Sequence, residues 1–139
     1  MSETGARFAQ VGTIPLWVKV VVVLCAVLTG MGAVIALVQP AMLLQPHAEI
    51  TDSVKTYAGY LTARNLALAL MLLALLIAGA RRALGNLLAV VGLIQLFDCA
   101  VDCLEARWTI APGVLLLGIL FLAAASRLCG RLWRKEAWM

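Results

Sequence analysis

Residues 64–98 read RNLALALMLLALLIAGARRALGNLLAVVGLIQLFD. Two apolar runs, 65–80 and 83–97, carry no ionisable residue, and the doublet Arg81, Arg82 stands between them. A helix that crosses about 30 Å of hydrocarbon takes roughly 20 residues. Neither run reaches that length unless Arg64 joins the first, and Asp98 and Asp102 join the second. The stretch therefore reads as two membrane helices that carry charge inside their outer halves. The connection at 79–85, GARRALG, is short enough to make these helices antiparallel neighbours.

Outside this hairpin the pattern repeats. Residues 20–39 and 108–126 are also free of ionisable groups. Hydrophobic residues make up 64% of the 139-residue chain and charged residues 13%. Soluble domains average about 45–50% and about 25%, and a soluble fold of this size has no core large enough for the difference. The expectation is one integral membrane domain, 1–139, of all-α class: a four-helix transmembrane bundle of antiparallel up-down topology. Its spans lie at about 16–38, 57–79, 84–105 and 110–130, with a basic tail at 127–139. Pro15, Pro40, Pro46 and Pro112 all fall at these boundaries. Residues 40–56 form the one long loop, with room for a short surface helix. The first apolar run is too long for a signal-peptide core and is expected to be retained.

Orientation follows from the Lys/Arg bias. With both termini inside, Arg7, Lys19, Arg81, Arg82, Arg127, Arg131, Arg134 and Lys135 collect on the inner side. Lys55, Arg64 and Arg107 remain outside. Trp17, Trp133 and Trp138 then mark the inner interface, and Tyr57, Tyr60 and Trp108 the outer one. The reading is N-in/C-in.

At about 1.5 Å rise per residue, Arg64 stands roughly 25 Å above the inner surface and Asp98 about 20 Å above it. Gln95, Asp98, Asp102 and Glu105 are spaced 3, 4 and 3, so they share one helical face. Tyr57, Tyr60 and Arg64 form a second stripe, with Asn65 beside it. Charge facing lipid is costly, so the two stripes are expected to face each other. The outer half of the bundle would then hold two carboxylates clamped by a guanidinium, rimmed by Tyr57, Tyr60, Asn65, Gln95 and Glu105.

Two carboxylates one turn apart do not ionise together easily in a low-dielectric site, which yields one proton donor and one acceptor. The catalytic candidates are Asp98 as base or water activator, Asp102 as proton donor and Arg64 as orienting cation; the two aspartate roles can be exchanged. Such a group suits isomerisation, cyclisation or epoxide opening on a lipophilic small molecule of terpenoid, sterol-like or polyketide type. Two alternatives stay open. The cluster can instead be a salt-bridged register pin in a non-catalytic subunit of a larger membrane complex, or part of a proton-coupled carrier. A dry, tightly packed cluster speaks for structure, and a pocket of about 300 Å³ or more with acids in its wall speaks for a ligand.

Other motifs carry less. Cys99 and Cys103 stand at i, i+4, a poor spacing for a disulfide on one helix; Cys25 and Cys129 read as small apolar residues. His47 is the single histidine, so a bis-histidine haem is excluded within the chain. A zinc site would draw its ligands from mismatched depths. No glycine loop suited to phosphate is present. No cofactor and no metal are expected. The net charge of +4 is spread as punctuation between apolar runs, so nucleic acid is not expected as a partner. The expected partners are membrane lipids and the lipophilic ligand. Ala26 with Gly30, and Gly32 with Ala36, give the first span small faces for packing within the chain or for a homodimer seam.

The segments TARNLAL at 62–68 and QLFD at 95–98, with the basic hairpin between them, resemble small DoxX-like bacterial four-span proteins over about residues 57–105. The resemblance implies a compact four-helix bundle in the cytoplasmic membrane and carries little function with it. Asp102 and Glu105 are acidity beyond what it accounts for.

Overall fold

The structure, a computed structural model, describes residues 13–44 and 49–130. His47 and the flanking residues Arg7, Arg131, Trp133, Arg134, Lys135 and Trp138 lie outside the described residues. Among the described residues the fold is all-α: α1 (Leu16–Val38), a short 3-10 turn (Pro40–Leu43), α2 (Asp52–Ile77), α3 (Arg81–Leu104) and α4 (Ala111–Cys129). All four α-helices are long and apolar enough to cross a membrane, the mark of an integral membrane protein.

Local chemistry sets the helix ends. Helix α2 begins before the expected position because Thr51 caps it, its hydroxyl oxygen accepting from the Val54 N–H at 3.3 Å. Asp52 then sits in the first turn, favourable to the helix dipole, 3.2 Å from Lys55. At the other end Gly79 adopts φ +64°. Its N–H donates to the Leu76 carbonyl, and the Ala80 N–H to that of Leu75. This is the Schellman closure, which needs a left-handed residue. Helix α3 starts at once at Arg81, so the arginine doublet forms its first turn rather than a loop.

Helix α1 packs along α2, and α3 along α4; α2 meets α3 over a much shorter stretch. The molecule is thus two helix pairs with a thin seam. In lipid the hydrophobic effect does not pull helices together, so close packing and hydrogen bonds must do so. Gly92 and Gly118 let α3 and α4 approach closely: a Cβ on Gly92 would lie 2.8 Å from Leu122 and 3.2 Å from the Gly118 carbonyl. Between α1 and α2, the Thr62 hydroxyl donates across the interface to the Ala33 carbonyl at 3.1 Å. Of the small residues on α1, Ala26 and Ala36 are buried within the chain, while nothing approaches Gly30.

The core sits toward one end. Val18, Val22 and Cys25 of α1 meet Leu72 of α2, Leu84 and Leu88 of α3, and Phe121, Ala124 and Ala125 of α4. Lys19, Arg81, Arg82 and Arg127 mark this end, where Arg81 Nη2 donates to the Arg127 carbonyl at 3.2 Å. The outward faces are apolar along every helix, with Val27, Val34, Leu70, Ile77, Leu93, Leu116 and Ile119 exposed. Such faces suit lipid and not water.

Candidate functional site

The inward face of α3 explains why the other end differs. Residues 84, 88, 91, 95, 98 and 102 recur at spacings of 4, 3, 4, 3 and 4, and all are buried or half-buried. The first three are Leu84, Leu88 and Val91; the last three are Gln95, Asp98 and Asp102. One continuous stripe is therefore apolar at the packed end and polar at the other. Polar side chains cannot fill the gap between the helix pairs as leucines do, and there the structure opens.

The opening is a cavity of about 430 Å³. Arg64, Asn65, Gln95, Asp98, Asp102 and Arg107 bring polar groups to its wall, and Leu28, Leu68, Ile94 and Phe121 bring apolar ones. This volume lies within the roughly 300–1,000 Å³ of small-molecule sites. It draws on all four helices. Asn65 borders Gly32 of α1, where an added Cβ would lie 3.3 Å from its Nδ2.

Asp102 is the one buried charged residue among the described residues. Its partner is Arg107, with Nη1 at 3.2 Å from Oδ1. Arg107 also stands 3.9 Å from the Glu105 carboxylate. This geometry comes from the end of α3. Ala106 takes φ +57°, its N–H donates to the Cys103 carbonyl, and the Arg107 N–H donates to the Asp102 carbonyl at 2.8 Å. The chain folds back in a Schellman closure. The usual apolar contact of that motif is replaced here by an ion pair.

Asp98 and Arg64 are placed differently. Both line the cavity, and Asp98 feels the charges of Arg64 and Asp102. Among the described residues neither forms an ion pair within 4.0 Å. Arg64 makes one long hydrogen bond, Nε to Asn65 Oδ1 at 3.5 Å. The expected clamp of Arg64 on an aspartate pair is thus divided: Arg107 holds Asp102, and Arg64 shares the wall with Asp98.

The remaining expected residues spread out. Glu105 caps the end of α3 and is exposed. Tyr60 is 70% exposed and lies outside the cavity wall. Tyr57 is exposed and borders a second, apolar hollow. The cause is the pairing of α2 with α1: the inward positions of α2 are 54, 58, 61, 62, 65, 68, 69, 72, 75 and 76. Residues 57, 60 and 64 fall outside that stripe, so Arg64 borders the cavity as an exposed residue. Sequence reasoning missed Arg107 as a site residue. Its signal was the Asp-x-x-Glu-x-Arg spacing across a helix end, which means nothing until the left-handed turn at Ala106 is known.

All four cysteines are free. Cys99 donates to the Ala111 carbonyl, and Cys129 to Asn86 and the Arg82 carbonyl. Among the described residues no three His, Cys, Asp or Glu side chains converge as a metal site requires.

Comparisons with protein-family models, with curated proteins and with solved structures find no match to this chain. The class that fold and site define is a small four-helix membrane protein with a polar cavity at one end of its bundle.

Proposed function

We propose that this protein binds a lipophilic small molecule in the cavity between its helix pairs and performs acid–base chemistry on it. The observation that carries the reading is the 430 Å³ hollow with Arg64, Asn65, Gln95, Asp98 and Asp102 in its wall. Charged side chains within membrane spans are costly and mark ligand or ion sites by default. A cluster serving only to pin helix register would close on itself and exclude that space.

The Arg107 contact favours the exchanged aspartate roles. Asp102, held by a guanidinium, serves as the ionised base. Asp98, with no ion-pair partner, supplies the proton. In epoxide opening, Asp102 takes a proton from water as the water oxygen attacks carbon. The C–O bond breaks, and Asp98 gives its proton to the departing oxygen. The product is a diol, and one proton then passes from Asp102 back to Asp98. Isomerisation and cyclisation use the same donor and acceptor without the water. Arg64, Asn65 and Gln95 orient the polar end of the substrate.

The topology belongs to the same proposal: an antiparallel up-down bundle with both termini inside, in a bacterial cytoplasmic membrane, as in DoxX-like proteins. Lys19, Arg81, Arg82 and Arg127 at the packed end support it. The cavity then opens toward the outer leaflet. Reporter fusions after Leu44 and at the C-terminus test the orientation; an outward-facing C-terminus would overturn it.

The Asp102–Arg107 ion pair favours a second reading, a non-catalytic subunit in which the polar end secures the fold. Asp98→Asn separates the two, since Asp102→Asn also breaks the ion pair with Arg107 and is destabilising under either reading. The catalytic reading expects Asp98→Asn to insert, remain monodisperse in detergent and lose turnover of any substrate the wild type converts. Full activity in Asp98→Asn and in Asp102→Asn would refute the catalytic assignment. The structural reading expects loss of stability in Asp98→Asn and a co-purifying larger partner.

A further inference from the structure

A second hollow of about 390 Å³ adjoins the polar cavity. Pro40, Leu43 and Leu44 of the 3-10 turn and its end form one side, and Val54, Tyr57, Ala58 and Leu61 of α2 form the other. Leu43 and Leu61 belong to both linings. They stand where the two spaces meet. One space is rich in charge and amide groups; the other is lined almost wholly by hydrocarbon. A ligand that fills both must be polar at one end and apolar along the rest.

We infer that the ligand is a single-tailed amphiphile. Its oxygen-bearing head sits against Arg64 and Asp98, and its hydrocarbon chain passes Leu43 and Leu61 into the groove between the 3-10 turn and α2. This inference rests on the ligand reading of the cavity and adds the class of ligand. Arg64 can only donate hydrogen bonds, so the head must carry an acceptor oxygen. The tail exchanges lipid for protein surface. It gains little from the hydrophobic effect there, so the groove works by shape: it fixes where the chain lies and hence which carbon reaches the aspartates. The occupant is the tail of the bound molecule and not a bilayer chain.

The experiment is photolabelling of the full chain in lipid nanodiscs. The probes are palmitic acid and hexadecanol, each carrying a diazirine either beside the polar group or at the chain end. Mass spectrometry locates the adducts. The head-proximal probes are expected to label the cavity around Ile94 and Val101. The chain-end probes are expected to label Leu44, Val54 and Ala58, and excess unlabelled palmitic acid or hexadecanol should suppress both patterns. Labelling by the acid alone would define the head as anionic; labelling by both would define it as any acceptor oxygen.

Two variants separate the failures. Ala58→Trp fills the groove and should abolish chain-end labelling there while head-proximal labelling persists. Arg64→Gln should abolish both. If the chain-end probe marks Val23, Leu37 and Leu116 as strongly as the groove, or if Ala58→Trp leaves groove labelling intact, the tail assignment fails and bilayer chains account for it. If Arg64→Gln leaves head-proximal labelling unchanged, the ligand reading of the cavity fails as well.

Discussion

Arg107 Nη1 stands 3.2 Å from Asp102 Oδ1, across a helix end that Ala106 closes in the left-handed region. The carboxylate is buried and belongs to the last full turn of α3; the guanidinium belongs to the link that leads to α4. Side chain and main chain act together, since the Arg107 N–H also donates to the Asp102 carbonyl. The polar cavity thus has a fixed edge. The position of Asp98 one turn below is referred to that edge.

Arg107→Gln should be strongly destabilising. Breaking a buried pair by removing one partner costs about 3–5 kcal/mol, because the other charge is left uncompensated. The 25% exposure of the Arg107 side chain places the effect at the lower end, about 3 kcal/mol. Thermal unfolding in detergent measures it. The double variant Arg107→Gln with Asp102→Asn should recover most of the loss, since the orphaned charge is gone. Equal stability of Arg107→Gln and wild type would mean that the pair contributes nothing.

Asp98→Asn should behave in the opposite sense. Asp98 has no ion-pair partner among the described residues, and it stands in the cavity wall. Residues held for function in unfavourable surroundings are sites where substitution gains stability and loses activity. The variant is expected to unfold at the same temperature as wild type or higher, by up to about 1 kcal/mol, and to lose turnover. A marked fall in stability would show that Asp98 is part of the structural cluster with Asp102.

These two aspartates also show how far the sequence could be read. The rise per residue and a spacing of 3 and 4 suffice to put Gln95, Asp98 and Asp102 on one face, because a helix has a fixed period. The apolar runs suffice for four spans, because lipid admits little charge. The partner of Asp102 was out of reach. Arg107 lies beyond the helix end, and its position depends on a left-handed residue where an alanine stands and a glycine is the usual marker. The tyrosines stand off the polar cavity for another reason. Tyr57 and Tyr60 share a stripe with Arg64, but which stripe faces inward depends on whether α2 pairs with α1 or with α3. Local periodicity carries no information about that choice. The short connection through Gly79 suggested α3, whereas Thr62 and Ala33 join α2 to α1.

Glycine substitutions test the packing of the two helix pairs. Gly92→Ala places a Cβ 2.8 Å from Leu122 and 3.2 Å from a backbone carbonyl that cannot step aside. Overpacking of this kind costs about 1–3 kcal/mol. Gly30→Ala meets nothing within 4 Å and removes a flexible residue from a helix interior, so it should be neutral or stabilising by up to about 1 kcal/mol. Thermal unfolding of the two variants should differ in this order. Gly30 is also the small residue of α1 left uncovered, so Gly30→Leu in a lipid environment tests a homodimer through the first span. Cross-linked dimer that vanishes in Gly30→Leu supports the seam, and unchanged cross-linking removes it.

Filling the cavity from its far wall separates a ligand site from a structural cluster without touching any charge. Gly32 lines the cavity from α1, beside the Asn65 amide. Gly32→Leu would project a branched side chain into the hollow while Arg64, Asp98, Asp102 and Arg107 keep their identities. The nearest obstacle to the Cβ is Asn65 Nδ2 at 3.3 Å, the end of a side chain that can turn away. Filling an empty space adds van der Waals contacts, so stability should hold or rise by about 1 kcal/mol. Binding of head-proximal palmitic acid or hexadecanol probes should be lost, since the volume they need is occupied. Retained labelling at Ile94 and Val101 in a well-folded Gly32→Leu protein would show that the probes reach those residues from the bilayer and not through the cavity.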